Sequence, residues 1–159
     1  MSHFEGGISV PLMMKWPGTI DKGSEENRPV IQMDLFSTLM ASADIPLPED
    51  RVIDGINLLD SAEMDQFSGR PLFWRTGYNH IIQYGEWKLM MNGKDGKIWL
   101  YNIEKDREEN HNVADENPDI VNRLRNMFNS WNEQMQDPAW PRVMDYYYDE
   151  DGEGYWFAT

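Results

Sequence analysis

Hydrophobic positions change their spacing along this chain, and each change predicts a different element. Ile8 to Trp16 mixes β-branched and large apolar residues and ends in Trp16-Pro17-Gly18, which predicts a strand followed by a turn. Residues 18–28 carry Gly, Ser and charge and read as a surface loop, and Pro29 to Met33 is short and apolar. From Asp34, a candidate N-cap, the apolar residues Leu35, Phe36, Leu39, Met40 and Ala43 recur at helical spacing. Pro46-Leu47-Pro48 stops that helix, and a loop rich in Pro, Asp and Gly runs to about Arg70, with a short helical turn near Leu58 to Met64.

Past residue 70 the pattern becomes that of strands. Leu72–Arg75, His80–Tyr84, Glu86–Met91 and Lys97–Asn102 are short runs rich in Ile, Trp, Tyr and Leu. Turn signals at Tyr84-Gly85 and Asn92-Gly93-Lys94-Asp95-Gly96 separate the last three, which predicts a four-stranded antiparallel meander. Asn117 then stands as N-cap and Pro118 at the first position of a helix. Its stripe, Ile120, Val121, Leu124, Met127, Phe128, Trp131 and Met135, needs an apolar surface, and one face of the meander supplies it. The residues from 71 to 136 therefore read as an α+β unit, a sheet backed by a helix.

Composition narrows the chemistry. At 159 residues and 40% hydrophobic, the chain has material for a sizeable core. Fourteen Lys and Arg face 28 Asp and Glu, a net charge of −14, and no basic cluster stands out. Duplex DNA binding needs several phosphates neutralised, so a nucleic-acid partner is excluded. No Cys is present, which removes disulfides, thiolate zinc sites and a cysteine nucleophile. Apolar runs fall far short of the ~18 to 20 residues of a membrane helix, and MSHFEGG has neither the basic nor the apolar region of a signal peptide.

Motif chemistry is sparse. His3, His80 and His111 stand far apart, with no metal-ligand spacing, and His111 reads as a surface residue. Asp149-Glu150-Asp151-Gly152 resembles a calcium loop, but with Gly152 at the sixth position the first and twelfth would be Tyr147 and Ala158, which cannot ligate. A solvated acidic turn is the simpler reading. Phosphate-binding glycine loops are absent. Trp140-Pro141 and Tyr146 to Tyr148 either line a sugar-binding groove or pack on the body of the protein.

Six phrases in order change this picture: EGGISVPLMMKWPG (Glu5 to Gly18), VIQMDLFSTLMASADI (Val30 to Ile45), DGINLL (Asp54 to Leu59), RPLFW (Arg70 to Trp74), YGEWKLM (Tyr84 to Met90) and LYNIEKDREENHNVADENPDIVNRL (Leu100 to Leu124). Together they resemble the C-terminal third of a formylglycine-dependent sulfatase, of the alkaline phosphatase superfamily. The resemblance implies residues 1–70 as the end of a larger α/β sulfatase domain, contributing a strand and a helix. Residues 71–159 would form the small antiparallel subdomain, with a helix over 118–135 and a tail.

The resemblance also implies hydrolysis of sulfate esters, often on sulfated sugars, by the hydrate of a formylglycine made from Cys or Ser in C/S-x-P-x-R, with calcium polarising the sulfate. Neither group is expected in this chain. Ser9-Val10-Pro11-Leu12-Met13 is the nearest imitation and has Met where Arg is required. No catalytic or metal-binding residue is therefore expected here, and the chain alone is expected to be silent.

The residues that could flank a substrate, by resemblance, are His3, Arg75, Tyr78 and His80, with a structural His3 and a surface salt bridge of Arg75 as the plainer alternatives. A sulfated small molecule or glycan is the expected partner, and self-association through apolar surface around residues 8–43 is a further expectation. A full-length relative would be periplasmic or secreted. The alternative to an enzyme fragment is a carbohydrate-binding or interaction module that keeps the subdomain without its chemistry.

Overall fold

The protein is described from a computed structural model covering residues 3–66, 69–140, 142–150 and 152–158. Its elements in chain order are α1 (Glu5–Ile8), α2 (Met33–Ser42), α3 (Ser61–Gln66), β1 (Leu72–Thr76), β2 (Asn79–Tyr84), β3 (Trp87–Asn92), β4 (Ile98–Asn102), α4 (Pro118–Asn132), β5 (Asp145–Glu150) and β6 (Glu153–Ala158). They divide between two compact units. One joins the residues up to Val10 with those from Pro71 onward; the other is Pro11–Arg70.

The first unit is built on the antiparallel meander β1-β2-β3-β4, in the order expected from the turn signals. Register aligns Phe73, Ile82, Leu89 and Leu100 in one row across the sheet and Trp74, Ile81, Met90 and Trp99 in the next. Because strand side chains alternate between faces, these rows point to opposite sides. The first row meets α4, where Ile82, Leu89, Leu100, Val121, Leu124 and Phe128 form a buried apolar cluster. Phe73 stacks on Trp131 with centroids 4.7 Å apart, and this is the face that the helical stripe demanded. The helix closes at Asn132, earlier than its pattern suggests. Gln134 and Met135 donate to the carbonyls of Trp131 and Asn132, so the chain tightens into three-residue turns and Met135 leaves the stripe. Asn117 holds the N-cap position, but its side-chain amide donates to the Val113 carbonyl at 2.9 Å.

The second row is covered by two segments whose pairing the sequence pattern did not reveal. Ile81, Met90, Trp99 and Tyr101 form a second cluster, packed by Phe4 from the N-terminal segment and Tyr155 from the hairpin β5-β6. Phe4 meets Tyr155 edge-on at 5.5 Å. The buried amide of Asn92 donates to the Trp156 carbonyl at 3.0 Å, Lys97 Nζ donates to the Gly154 carbonyl, and the Trp99 indole donates to Glu153. Gly77 has φ +54° in the β1-β2 turn, and a Cβ there would lie 2.6 Å from that of Ala158, so only glycine lets the turn and the hairpin meet. The sheet is thus the middle of three layers.

One expected element is corrected. Ile8 to Trp16 is not a strand: Gly7 and Ser9 donate back to Phe4 and Glu5 to make the single turn α1, and the following chain pairs with no strand among the described residues. Val10 and Met13 are 79% and 89% exposed. β-branched composition suits a strand, but a strand also needs a ladder partner. The turn after it is present, with Thr19 and Ile20 both donating to the Trp16 carbonyl.

Within the second unit, α2 turns its polar side inward. Asp34, Ser37 and Thr38 are buried while Phe36 and Leu39 are exposed. Asp34 lies inside the first turn of α2, and its carboxylate accepts from the backbone N–H groups of Ile31 and Ile56 and pairs with Arg70. Ser37 Oγ donates to the Gly55 carbonyl, and a Cβ on Gly55 would lie 2.2 Å from the Met33 carbonyl oxygen. The helix therefore rests against backbone, which explains why short polar residues fill that side.

Candidate functional site

The four residues singled out by resemblance fall in three places. His3 lies buried on the β6 side of the sheet, sharing a 3.1 Å hydrogen bond with Thr76 Oγ1. Burial, then nearby positive charge including Lys88, holds its imidazole down to about 4. Arg75 and His80 are cross-strand partners on the opposite face, under α4. The Arg75 guanidinium donates to Asn132 Oδ1 at 2.7 Å and to the Gln136 carbonyl at 2.6 Å, fastening the end of α4 to the sheet edge. His80 stacks on Phe128 at 4.9 Å, and burial followed by the Arg75 charge lowers its pKa. Tyr78 stands in the β1-β2 turn. Of the stretches considered for other ligands, Pro141 and Asp151 lie outside the described residues.

Two polar constellations of this first unit had no counterpart in motif reasoning. In one, Lys88 projects from β3 onto the Trp99 side of the sheet and is fully buried. Its Nζ lies 2.9 Å from Glu5 of α1 and 2.9 Å from Glu109. The second Glu109 oxygen accepts from the Glu5 backbone N–H. Burial raises the Glu109 pKa, with Lys88 opposing the rise. Glu109 also sits at φ +57°, a left-handed conformation that costs a non-glycine residue energy and is kept because the carboxylate is so firmly held. The arrangement fixes the N-terminal segment on the sheet; all its charged groups face one another.

The other constellation surrounds Tyr78. Asp145, at the start of β5, pairs with Lys94 Nζ at 2.8 Å and with Arg142 Nε at 2.8 Å. Lys94 Nζ lies 3.4 Å from the centre of the Trp156 ring and 5.5 Å from that of Tyr78, and the Arg142 guanidinium lies 4.9 Å from the Tyr78 ring. Tyr147, the cross-strand partner of Trp156, tilts against it at 4.9 Å. Burial, then Asp145, raises the Tyr78 pKa, while its two cationic neighbours hold the Asp145 carboxyl low, chiefly through the Lys94 hydrogen bond. The signal available in the sequence was slight, since the six residues come from two turns, two strands and the segment before β5.

Three features hold these groups in place. Gly93 donates to the Tyr78 carbonyl at 2.8 Å, joining the β1-β2 turn to the β3-β4 turn that carries Lys94. Lys94 N–H itself donates to Asn92 Oδ1. The Tyr147 ring lies over Gly154, where a Cβ would approach its hydroxyl within 2.2 Å.

Residues 2–136 match the family described as "N-sulphoglucosamine sulphohydrolase, C-terminal". The chain is 26% identical over 145 residues to an N-acetylgalactosamine-6-O-sulfatase of Bacteroides thetaiotaomicron, covering 81% of this chain and 28% of that protein. It is 39% identical over 74 residues to the human N-acetylgalactosamine-6-sulfatase, covering 46% of this chain and 14% of that protein. A 62-residue stretch is 44% identical to human steryl-sulfatase, 39% of this chain and 11% of that one. Among solved structures, that of Ps i-CgsB superposes with a TM-score of 0.67 at 26% identity, over 79% of this chain and 29% of its own. The same protein in complex with k-i-k-neocarrahexaose gives 0.65 at 25% identity, over the same shares of the two chains. The chain thus spans less than a third of the length of each of these relatives.

Proposed function

This chain belongs to the sulfatase family, as its N-sulphoglucosamine sulphohydrolase C-terminal domain, and on that premise we propose that it serves as the C-terminal part of an enzyme hydrolysing sulfate esters of sugars. The observation that carries the reading is the family match over residues 2–136, which takes in both the N-terminal segment held by Lys88 and the whole sheet with α4. Sugar as the substrate class draws support from the names of the relatives, two of which act on N-acetylgalactosamine sulfates, and from the oligosaccharide bound by the structural neighbour.

In this reading the domain supplies shape and substrate contacts, and the reacting groups come from outside these 159 residues. The donors present do not fit calcium: among the described residues no three His, Asp or Glu side chains are placed to hold a metal ion. Nor do they fit formylglycine. Ser9 follows the last residue of α1, 3.5 Å from an Arg107 nitrogen, and Met13, where the motif requires Arg, is exposed. No chemical step is therefore drawn through either group.

An aryl-sulfate assay on the purified chain with added calcium tests the division of labour. The expected result is no release of the aryl alcohol above background; turnover by this chain would overturn it.

A further inference from the structure

We propose that Tyr78, Lys94, Arg142 and Trp156 form a binding site for a sulfated sugar on the outside of the β5-β6 hairpin; the choice of a sulfated ligand rests on the reading above, while the site rests on its own geometry. Cations are scarce in this chain, 14 against 28 carboxylates, yet two converge here on the single carboxylate of Asp145. Lys94, Arg142 and Asp145 together carry a net positive charge, with Asp95 the further carboxylate that acts on Tyr78. Asp145 engages Arg142 through Nε, and 46% of the Arg142 side chain is exposed, so a guanidinium with a fixed stem is presented at the surface. Guanidinium groups match the oxygens of a sulfate through charge-assisted hydrogen bonds.

The rings supply the other half. Pyranose rings present C–H faces that lie on aromatic surfaces, while their hydroxyls and sulfates bond at the edges; apolar walls with a few placed polar groups are the common form of a small-ligand site. Lys94 covers one face of Trp156 and Arg142 one face of Tyr78, and Tyr147, 55% exposed against Trp156, presents such a surface beside them. Arg142 is held by Asp145 and by the Tyr78 ring while 46% of its side chain stays exposed, which leaves it able to meet a ligand. The site is also pre-organised: the Gly93 to Tyr78, Lys94 to Asn92 and Asn92 to Trp156 hydrogen bonds set the turns and the strand before any ligand arrives.

The test is a titration of the intact chain followed by NMR, reading the Trp156 indole N–H and the Arg142 side chain, with N-acetylgalactosamine 6-sulfate and with unsulfated N-acetylgalactosamine. The expected result is saturable movement of both signals with the sulfated sugar and affinity weaker by about tenfold without the sulfate. Arg142→Gln lowers affinity for the sulfated sugar by about tenfold and leaves that for the unsulfated one unchanged, and Arg142→Lys restores part of it. Added salt weakens only the sulfated sugar. The unliganded spectrum of Arg142→Gln reports whether the fold is kept, and Lys94→Gln repeats the comparison if it is not. Equal affinity for the two sugars, no movement of Trp156, or no effect of either substitution overturns the site. None of these readings depends on turnover, so failure here leaves the aryl-sulfate result standing, and failure there leaves this one.

Discussion

The two faces of the central sheet are closed by different physics. Against α4, Ile82, Leu89, Leu100, Leu124 and Phe128 meet without a polar atom among their side chains, and this centre is held by burial and dispersion, with Arg75 fastening the end of the helix. On the other side the apolar row of Ile81, Met90 and Trp99 is flanked by Lys88 with its two glutamates and by Asn79 and Asn92 beneath β6. Apolar packing tolerates sliding, because any neighbour of similar size serves. A buried lysine accepts only partners at the right distance, so the second face gains a specified position for α1 and the hairpin at the cost of desolvating charge.

Substitutions on each face sharpen that contrast. Phe128→Ala empties the centre of the helix-facing cluster and is expected to lower unfolding free energy by about 3–5 kcal/mol in urea titration. That loss should be constant from pH 7 to 8 and shrink slightly below about pH 6.5, where His80, freed from the Phe128 stack, protonates more readily. Lys88→Met leaves Glu5 and Glu109 without their cation and is expected to cost up to about 3–5 kcal/mol at neutral pH. Here the loss should shrink as pH falls. Without Lys88 the buried Glu109 carboxyl binds a proton more readily in the folded than in the unfolded chain, so acid favours the folded state. A pH-independent loss in Lys88→Met would show that the lysine matters only for its packing.

The smallest effect expected is that of His3. Its folded pKa of about 4 lies below the ordinary 6.5, so the unfolded chain binds more protons between those values. Stability from this group is complete above pH 6.5 and is lost as pH falls toward 4. His3→Gln should flatten that part of the stability-pH curve, and the lowered pKa of His80 leaves a residual slope of the same sign. A wild-type curve that is level from pH 6.5 to 4.5 would contradict it.

Legibility in the sequence followed the same division. The four strands and α4 announced themselves because each satisfies one simple period, and their apolar residues pack against one another. The β5-β6 hairpin on the second face escaped, and the strand expected over Ile8 to Trp16 is not formed. Asp145–Glu150 reads as three tyrosines among acids and shows no alternation, because all three tyrosines are more than half exposed. Ile8 to Trp16 has the composition of a strand, but no strand among the described residues pairs with it, and composition cannot report a missing neighbour. Tyr78 was singled out by resemblance, whereas Lys94, Arg142, Asp145 and Trp156 had no motif to mark them. Their proximity is made by turns meeting in space, and no local spacing encodes it. Lys88 and Glu109 were visible only as members of family-like phrases, and their ion pair required the fold.

The buried pair of Lys88 and Glu5 also dictates an order of events as the chain folds. The two residues are 83 positions apart, with the whole of Pro11–Arg70 between them, whereas the strands of the meander join neighbours through tight turns. Closing a long loop costs entropy that short hairpins do not, so local pairing of β1 to β4 and docking of α4 come first. The lysine then waits, half wetted on a finished sheet, until the first residues of the chain return. Pairing with Glu5, unlike that with the nearby Glu109, is therefore expected to follow the meander, an order set by the 83-position separation.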